Sequence, residues 1–396
     1  MKSKHIIFVP GIFGWGPREL GGFSYWGDAL KQFGDTAFTT HEVKCGPISS
    51  FHDRACEIFA HIKGTTINYG AKHSAEYGHT ETRNNKQTAL VSNWSAENPV
   101  ILIGHSAGAQ TCLQLQQLLA EDFWQIGSNE NWVEAIVCVA GVLNGSTLTY
   151  MFCDAKSGRL SRAPGFLISA ALGAVEKIRN LAALFHYDLG KDYDLYLDQW
   201  TGKENGTHEE LQDYFNANHS FAEGKDNLAF DLSLQGCFGA NQRFQTHSGT
   251  YCFSLVTRAT NPSLLGEYPD ITMNLLLMIP ARYQGKEVDF TEPPIPGWGT
   301  GDLTIDKWRE NDGAVSTISQ RVPFTGKPQP LGGEGIFGRE PQKIEKGKWY
   351  FEHVESIASM RFDHLDPVFG AKLKLPGTAQ AQAVLYDKLS ALLRSL

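Results

Sequence analysis

The chain has 396 residues, 42% of them hydrophobic and 20% charged, and carries a formal net charge of -8. A chain of that length buries a sizeable core and supports an internal cleft, and its acidic balance argues against a nucleic-acid partner, which needs a basic face. No apolar run approaches the ~20 residues that span a bilayer, so no transmembrane segment is expected.

In chain order, residues 4–10 read as a buried strand that ends at Pro10-Gly11. Its apolar run is too short for the h-region of a signal peptide. That points to a cytoplasmic chain, one already processed, or one exported without a cleaved signal. Gly11, Gly14, Gly16, Gly21 and Gly22 then make a loop in which backbone can approach a ligand closely. Residues 99–103 form a second buried strand, 106–120 have helical spacing with Leu113, Leu115, Leu118 and Leu119 suited to packing, and 134–140 form another buried strand. Continuous apolar strands alternating with helices predict an α/β fold with a mostly parallel sheet covered on both faces. Residues 166–185 make an Ala-rich and Leu-rich helix after Pro164-Gly165, to be read either as a core-packing helix or as a mobile lid over an apolar cleft. Residues 201–250 read as polar and loop-rich, 292–301 as an irregular Pro-Gly loop, and 379–396 as the closing helix. The seven cysteines are scattered without a CxxC, a pattern that fits free thiols better than a disulfide framework.

Gly104-His105-Ser106-Ala107-Gly108 matches G-x-S-x-G between a strand and a helix, the context in which the motif presents a serine nucleophile on a sharp turn. The chain order Ser, then acid, then His places the base late in the sequence. Two histidines qualify. His364 lies in a short loop before a helix and is preferred; His353 lies in a segment that reads as a strand. Asp312, in Asn311-Asp312-Gly313, is the candidate acid, with an ordinary turn aspartate as the plain alternative. The amides of Ala107 and Ile12 are the candidate oxyanion donors.

Several segments together resemble a known family. They include Pro10-Gly11-Ile12-Phe13-Gly14-Trp15-Gly16, Gly22-Phe23-Ser24-Tyr25-Trp26-Gly27, Asp53-Arg54-Ala55-Cys56-Glu57, Asn68-Tyr69-Gly70-Ala71-Lys72-His73, Gly78-His79, Leu197-Asp198-Gln199-Trp200, and residues 308–313. The chain resembles the thermoalkalophilic bacterial lipases of bacilli and staphylococci over most of its length. The resemblance implies an α/β-hydrolase fold over 1–396 with the triad Ser106, Asp312 and His364. It also implies a zinc-binding insertion, spread over 46–95 and 201–250, with Asp53, His73, His79 and Asp226 as ligands, and a lid over 151–190. Two imidazoles and two carboxylates form a closed tetrahedral set, which is structural rather than catalytic. His52 stands where the family has Trp before the first ligand. The family also binds calcium near the histidine loop, which implies a second site at the Thr272 carbonyl and Asp366; the alternative is that Asp366 only braces the loop. Pro10-Gly11-Ile12 departs from the family's His-Gly-Phe, and Ala107 from its Gln, changes that reshape the acyl pocket but leave both amides available.

The expected activity is carboxylester hydrolysis, as a lipase or esterase on a lipid or small-molecule ester with contact at a lipid interface. A phospholipase, lysophospholipase or acyltransferase with the same triad is the nearest rival. A silent hydrolase fold serving as a binding module is the rival of another class.

Overall fold

The computed structural model describes residues 3–396 except 35, 84–87, 204–205, 287–289, 291, 302, 326–328, 341–342 and 375–376. Parts of the 46–95 and 201–250 regions therefore lie outside the described residues.

Seven strands build the central sheet: β1 (Lys4–Val9), β2 (Phe38–Glu42), β3 (Val100–His105), β4 (Val133–Val139), β5 (Tyr251–Val256), β6 (Leu331–Glu334) and β7 (Trp349–His353). Their order is β6-β7-β5-β4-β3-β1-β2, and every neighbouring pair is parallel. A parallel sheet needs crossovers that cover both faces, so its inner strands are buried from both sides. All six residues of β3 are buried accordingly. Alternate side chains feed opposite layers. Ile6 and Phe8 of β1 pack with Leu385 and Leu389 of the C-terminal helix (Thr378–Ser395), whereas Ile7 and Val9 pack with Ile58 and Leu115 on the other face.

Ile58 belongs to α1 (Phe51–Lys63), whose Ser50 side chain accepts the Asp53 amide at the N-terminus and whose Gly64 ends it in the left-handed region. A short helix, α2 (Ala71–Tyr77), precedes the nucleophile strand. Leu115 belongs to α3 (Ala107–Ala120), which starts directly after β3. The apolar helix of residues 166–185 is α4 (Phe166–Leu184), with Leu167, Ile168, Ala171, Val175, Ile178 and Ala182 buried.

The expected α/β architecture with a parallel sheet holds. The reading of 201–250 as loop-rich needs correction: helices span His208–Ala217 and Leu234–Asn241, with shorter turns between them. The first is fixed by a capping box between Thr207 and Glu210, which lets a mostly polar segment hold helix ends while burying only Leu211 and Phe215. All seven cysteines are buried and free. Among the described residues no helix is long and apolar enough to cross a membrane.

The chain leaves β1 toward β2 and returns on the other side of β1 as β3. The strand order therefore reverses between them, and the crevice beyond their C-terminal ends is where an open α/β sheet accepts a ligand.

Candidate active site

Ser106 sits in that crevice, between β3 and α3, with φ 56° and ψ -124°. A non-glycine residue held there is strained, and such strain persists only where the surroundings over-determine it. The flanking glycines show how. A Cβ on Gly104 would lie 2.4 Å from the Gly108 carbonyl oxygen, and one on Gly108 would lie 2.3 Å from that of Val9. The G-x-S-x-G spacing thus lets strand, helix and the end of β1 close on one another.

Asp312 and His364 meet across 52 residues of sequence. His364 Nδ1 donates to Asp312 Oδ2 at 2.9 Å, and the His364 amide donates to the Asp312 carbonyl at 2.9 Å. The carboxylate also accepts from Thr257 Oγ1 at 2.6 Å and Gln320 Nε2 at 3.1 Å on Oδ2, and from the Ala314 and Val315 amides on Oδ1. Since a carboxylate only accepts, Nδ1 carries the imidazole proton and Nε2 keeps its lone pair. His353, the other candidate base, lies on β7 with Nε2 3.4 Å from the Arg321 guanidinium.

Ser106 and His364 line one cavity of about 540 Å³. No hydrogen bond joins the Ser106 hydroxyl to His364 among the described residues. Such contacts are commonly long in a free enzyme and tighten with substrate. Ile12 also lines the cavity, and Gly11 approaches so closely that a Cβ there would lie 2.8 Å from Ser106 Cβ. Ala107 opens α3, so its N–H has no acceptor within the helix. One wall comes from α4, through Phe166, Ala170, Ala174 and Ile178, and another from Leu276, Leu277 and Phe369. This is a largely apolar slot with a few polar groups, Ser106 and His364 among them, the usual form of a site for a largely hydrophobic ligand.

Sequence reasoning gave no role to the residues that lock this arrangement. Arg54 is fully buried and donates to the Pro10 carbonyl at 2.5 Å, the Gly46 carbonyl at 2.6 Å and Thr111 Oγ1 at 3.0 Å, tying the Gly11 loop to α1 and α3. Tyr25 joins the Gly11 amide to His105. Both residues stand inside the segments that carry the family resemblance, the one signal that could have marked them.

A family model described as lipase-like, C-terminal domain, matches residues 3–375. The chain belongs to this family. Among curated relatives, the Staphylococcus hyicus lipase is 27% identical over 421 residues, covering 98% of this chain and 57% of its own length. The chain spans about half the length of the curated relatives it matches. Among solved structures, EstA from Clostridium botulinum superposes with a TM-score of 0.76 at 26% identity, covering 100% of this chain and 88% of its own. Lipase 1 from Pelosinus fermentans gives 0.73 at 27% identity and full coverage of both chains. The architecture is thus the hydrolase-like α/β fold shared with these structures.

Beside α1 this family member gathers Asp53, His73, His79 and Asp226, with one ligand atom from each lying within 4.8 Å of all the others. His73 Nε2 lies 3.2 Å from both Asp53 Oδ1 and Asp226 Oδ1, and His79 Nε2 lies 3.2 Å from Asp226 Oδ2. Tetrahedral coordination at zinc's bond lengths sets ligand atoms about 3.3 Å apart. Asp53 Oδ1, both Asp226 oxygens and both Nε2 atoms are buried without a hydrogen-bond partner, so five polar atoms converge on one point. Asp53 Oδ2 accepts from Gln199 Nε2 at 3.1 Å, and His79 Nδ1 is bonded to the Thr80 carbonyl at 2.9 Å, which orients two of the four. Burial holds the Asp226 carboxyl up, but His73 and His79 outweigh it and bring it below the usual range. His52 stacks on His73 with centroids 3.8 Å apart. This group can hold a metal ion.

At the expected calcium site a lysine already stands on the Asp366 carboxylate. Thr272 uses its amide and hydroxyl on Asp270 Oδ1, at 2.9 and 2.8 Å. Asp366 Oδ2 is taken by the Lys374 ammonium at 2.8 Å and by the Asp363 amide at 2.8 Å. A divalent ion at that oxygen would meet a lysine charge, so the residues present do not fit it.

Proposed function

We propose that this chain is a serine ester hydrolase acting on lipid esters. Ser106 is the nucleophile, His364 the general base, Asp312 the residue that orients it, and the Ile12 and Ala107 amides the oxyanion donors. The observation that carries the reading is the Asp312–His364 pair, whose histidine lines the same largely apolar cavity as the strained Ser106 turn. Ser106 adds to the acyl carbonyl while its proton moves to His364 Nε2. The tetrahedral oxyanion takes the two amide donors, His364 then protonates the leaving alcohol, and water activated by the same imidazole releases the acid.

The apolar walls supply the substrate class. An acyl chain laid along Leu276, Phe166 and Ile178 is removed from water at about 25 cal/mol per Å² of apolar surface. We read α4, within the 151–190 segment, as the cover of this slot, because one of its faces forms a wall that the ester must pass. We assign zinc to Asp53, His73, His79 and Asp226, in the region built from 46–95 and 201–250. With all four positions filled by protein it braces the fold and takes no part in the reaction.

Fluorophosphonate labelling with product analysis tests this reading. Labelling should occur in the wild type and vanish in Ser106→Ala, and p-nitrophenyl and acylglycerol esters should be cleaved. A folded wild type that neither labels nor hydrolyses, with or without detergent, would point to a silent fold. Preference for phospholipids would move the assignment to the phospholipase rival.

A further inference from the structure

The turn that carries His364 is held by a buried charge cluster. Asp363 and Asp366 are both fully buried, and the Lys374 side chain retains only 11% exposure. Lys374 Nζ lies 2.7 Å from Asp363 Oδ2 and 2.8 Å from Asp366 Oδ2. The remaining donors fix the same two carboxylates. Asp363 Oδ1 accepts the Leu365 amide at 2.9 Å, Asp363 Oδ2 the Asn274 amide at 2.6 Å, and Asp366 Oδ2 the Asp363 amide at 2.8 Å. His364 lies between the two aspartates, and Asn274 precedes the cavity-wall residues Leu276 and Leu277. One ammonium thus clamps the base-bearing turn to a wall of the site.

We propose that Lys374 is a tethered cation that takes the place of the divalent ion implied by the resemblance, making the His364 turn independent of calcium. Two buried carboxylates so close together cannot stay without a cation between them. A bound metal meets that need at a cost in ion concentration, whereas a lysine eight residues along the same chain meets it permanently. Removing the ammonium leaves two carboxylate oxygens, Asp363 Oδ2 and Asp366 Oδ2, at the vacated position, and Asp366 Oδ1 is buried without a partner of its own. That is a donor set for a hard cation. Lys374 acts through the turn and not on the ester, which makes it a positioning residue.

The test compares wild type, Lys374→Met and Lys374→Arg, each with zinc kept saturating, by calcium calorimetry, melting temperature and ester kinetics. Wild type should show no saturable calcium binding and no calcium effect on melting or kcat. Lys374→Met should bind one calcium, melt lower without it, lose kcat at least about tenfold, and recover both on adding millimolar calcium. Lys374→Arg should keep most of the wild-type behaviour, since it keeps the charge. Stoichiometric calcium binding by wild type that Asp366→Asn abolishes would overturn the proposal, whether or not the Met variant folds. So would a Met variant that loses nothing, or one that calcium does not restore. The kinetic arm rests on His364 being the base, while the binding and melting arms do not. Failure of the hydrolase reading would appear separately, as unlabelled wild type.

Discussion

His105 Nε2 donates to the backbone carbonyl of His364 at 2.8 Å, so the residue before the proposed nucleophile holds the main chain of the proposed base. The carbonyl can only accept, which puts the His105 proton on Nε2 and leaves Nδ1 to accept from Tyr25 Oη at 2.7 Å. Tyr25 Oη in turn accepts the Gly11 amide at 3.0 Å. Burial keeps the His105 imidazole far below its ordinary range, and His364 adds to this, so the ring stays neutral and the direction of the chain is fixed. A single line of hydrogen bonds runs from the oxyanion loop, through the residue beside the nucleophile, to the base.

Breaking that line should cost rate more than affinity. Tyr25→Phe leaves His105 Nδ1 and the Gly11 amide buried without partners, a penalty of about 1–3 kcal/mol for each unsatisfied group. The expected outcome is a melting temperature lower by several degrees and a kcat lower by about tenfold or more, with KM for a short p-nitrophenyl ester little changed. Unchanged kcat in a folded Tyr25→Phe would show that the line is incidental to catalysis.

Asp312→Asn should remove activity with only a moderate loss of stability. The Ala314 and Val315 amides can still bond the side-chain oxygen on the Oδ1 side. On the Oδ2 side an amide NH₂ would confront three donors, from Thr257, Gln320 and His364. The imidazole would then turn its lone pair toward residue 312 and its proton toward Ser106, the wrong tautomer for a base. Ester turnover should fall by about 10⁴-fold, and denaturant unfolding should report a loss of about 1–3 kcal/mol. A variant that keeps a tenth of the wild-type rate would remove Asp312 from the mechanism.

What could be read from the sequence divides by the range of the interactions involved. The Ser106 turn was legible because its cause is local: Gly104 and Gly108 are two residues from the serine and admit strand, turn and helix. Strands β1, β3 and β4 are legible because each carries a run of at least four consecutive apolar residues: Ile6–Val9, Val100–Ile103 and Ala135–Val139. By contrast, β5 is hard to read because Tyr-Cys-Phe-Ser-Leu-Val mixes polar and apolar residues, and its buried Ser254 is satisfied by Trp349, 95 residues away. Asp312 on its own looked like a turn aspartate; Thr257, Gln320 and His364 single it out, and only folding brings them together. The four metal-cluster residues came from resemblance, as two histidines six apart carry little weight without Asp53 and Asp226. Lys374 was invisible for the same reason, since nothing in sequence marks one lysine as the partner of two buried aspartates.

Metal removal should separate stability from chemistry. The four-residue cluster lies on α1, on α2, in the turn just after α2 and in the segment before Asn227, outside the residues that line the cavity. Dialysis against a zinc chelator should lower the melting temperature markedly and leave the ester rate at low temperature nearly intact. Added zinc should restore melting in wild type but not in Asp226→Asn, which removes a ligand. Immediate loss of turnover at a temperature where the chelated protein remains folded would mean that the ion acts on substrate.

Acid should weaken the fold through the edge of the sheet. His41 on β2 and His5 on β1 are bonded to each other, Nε2 to Nδ1, at 3.0 Å, with ring centroids 5.3 Å apart. Burial lowers the His41 imidazole to about 4, with the neighbouring His5 acting in the same direction. With the folded value depressed below the unfolded 6.5, the unfolded chain takes up the proton first. The contribution to stability is therefore whole above about pH 6.5 and is lost as pH falls toward about 4. A tenfold difference in proton affinity between the folded and unfolded chains corresponds to about 1.4 kcal/mol. Because His41 sits half-exposed on the edge strand β2, solvent screening reduces the expected total to about 1–2 kcal/mol. Denaturant unfolding across the range from neutral to mildly acid pH should show wild type losing this amount relative to His41→Gln, which cannot titrate; the comparison cancels the acid titration of carboxylates common to both. Parallel pH profiles for the two proteins would mean that the His5–His41 contact carries no acid sensitivity.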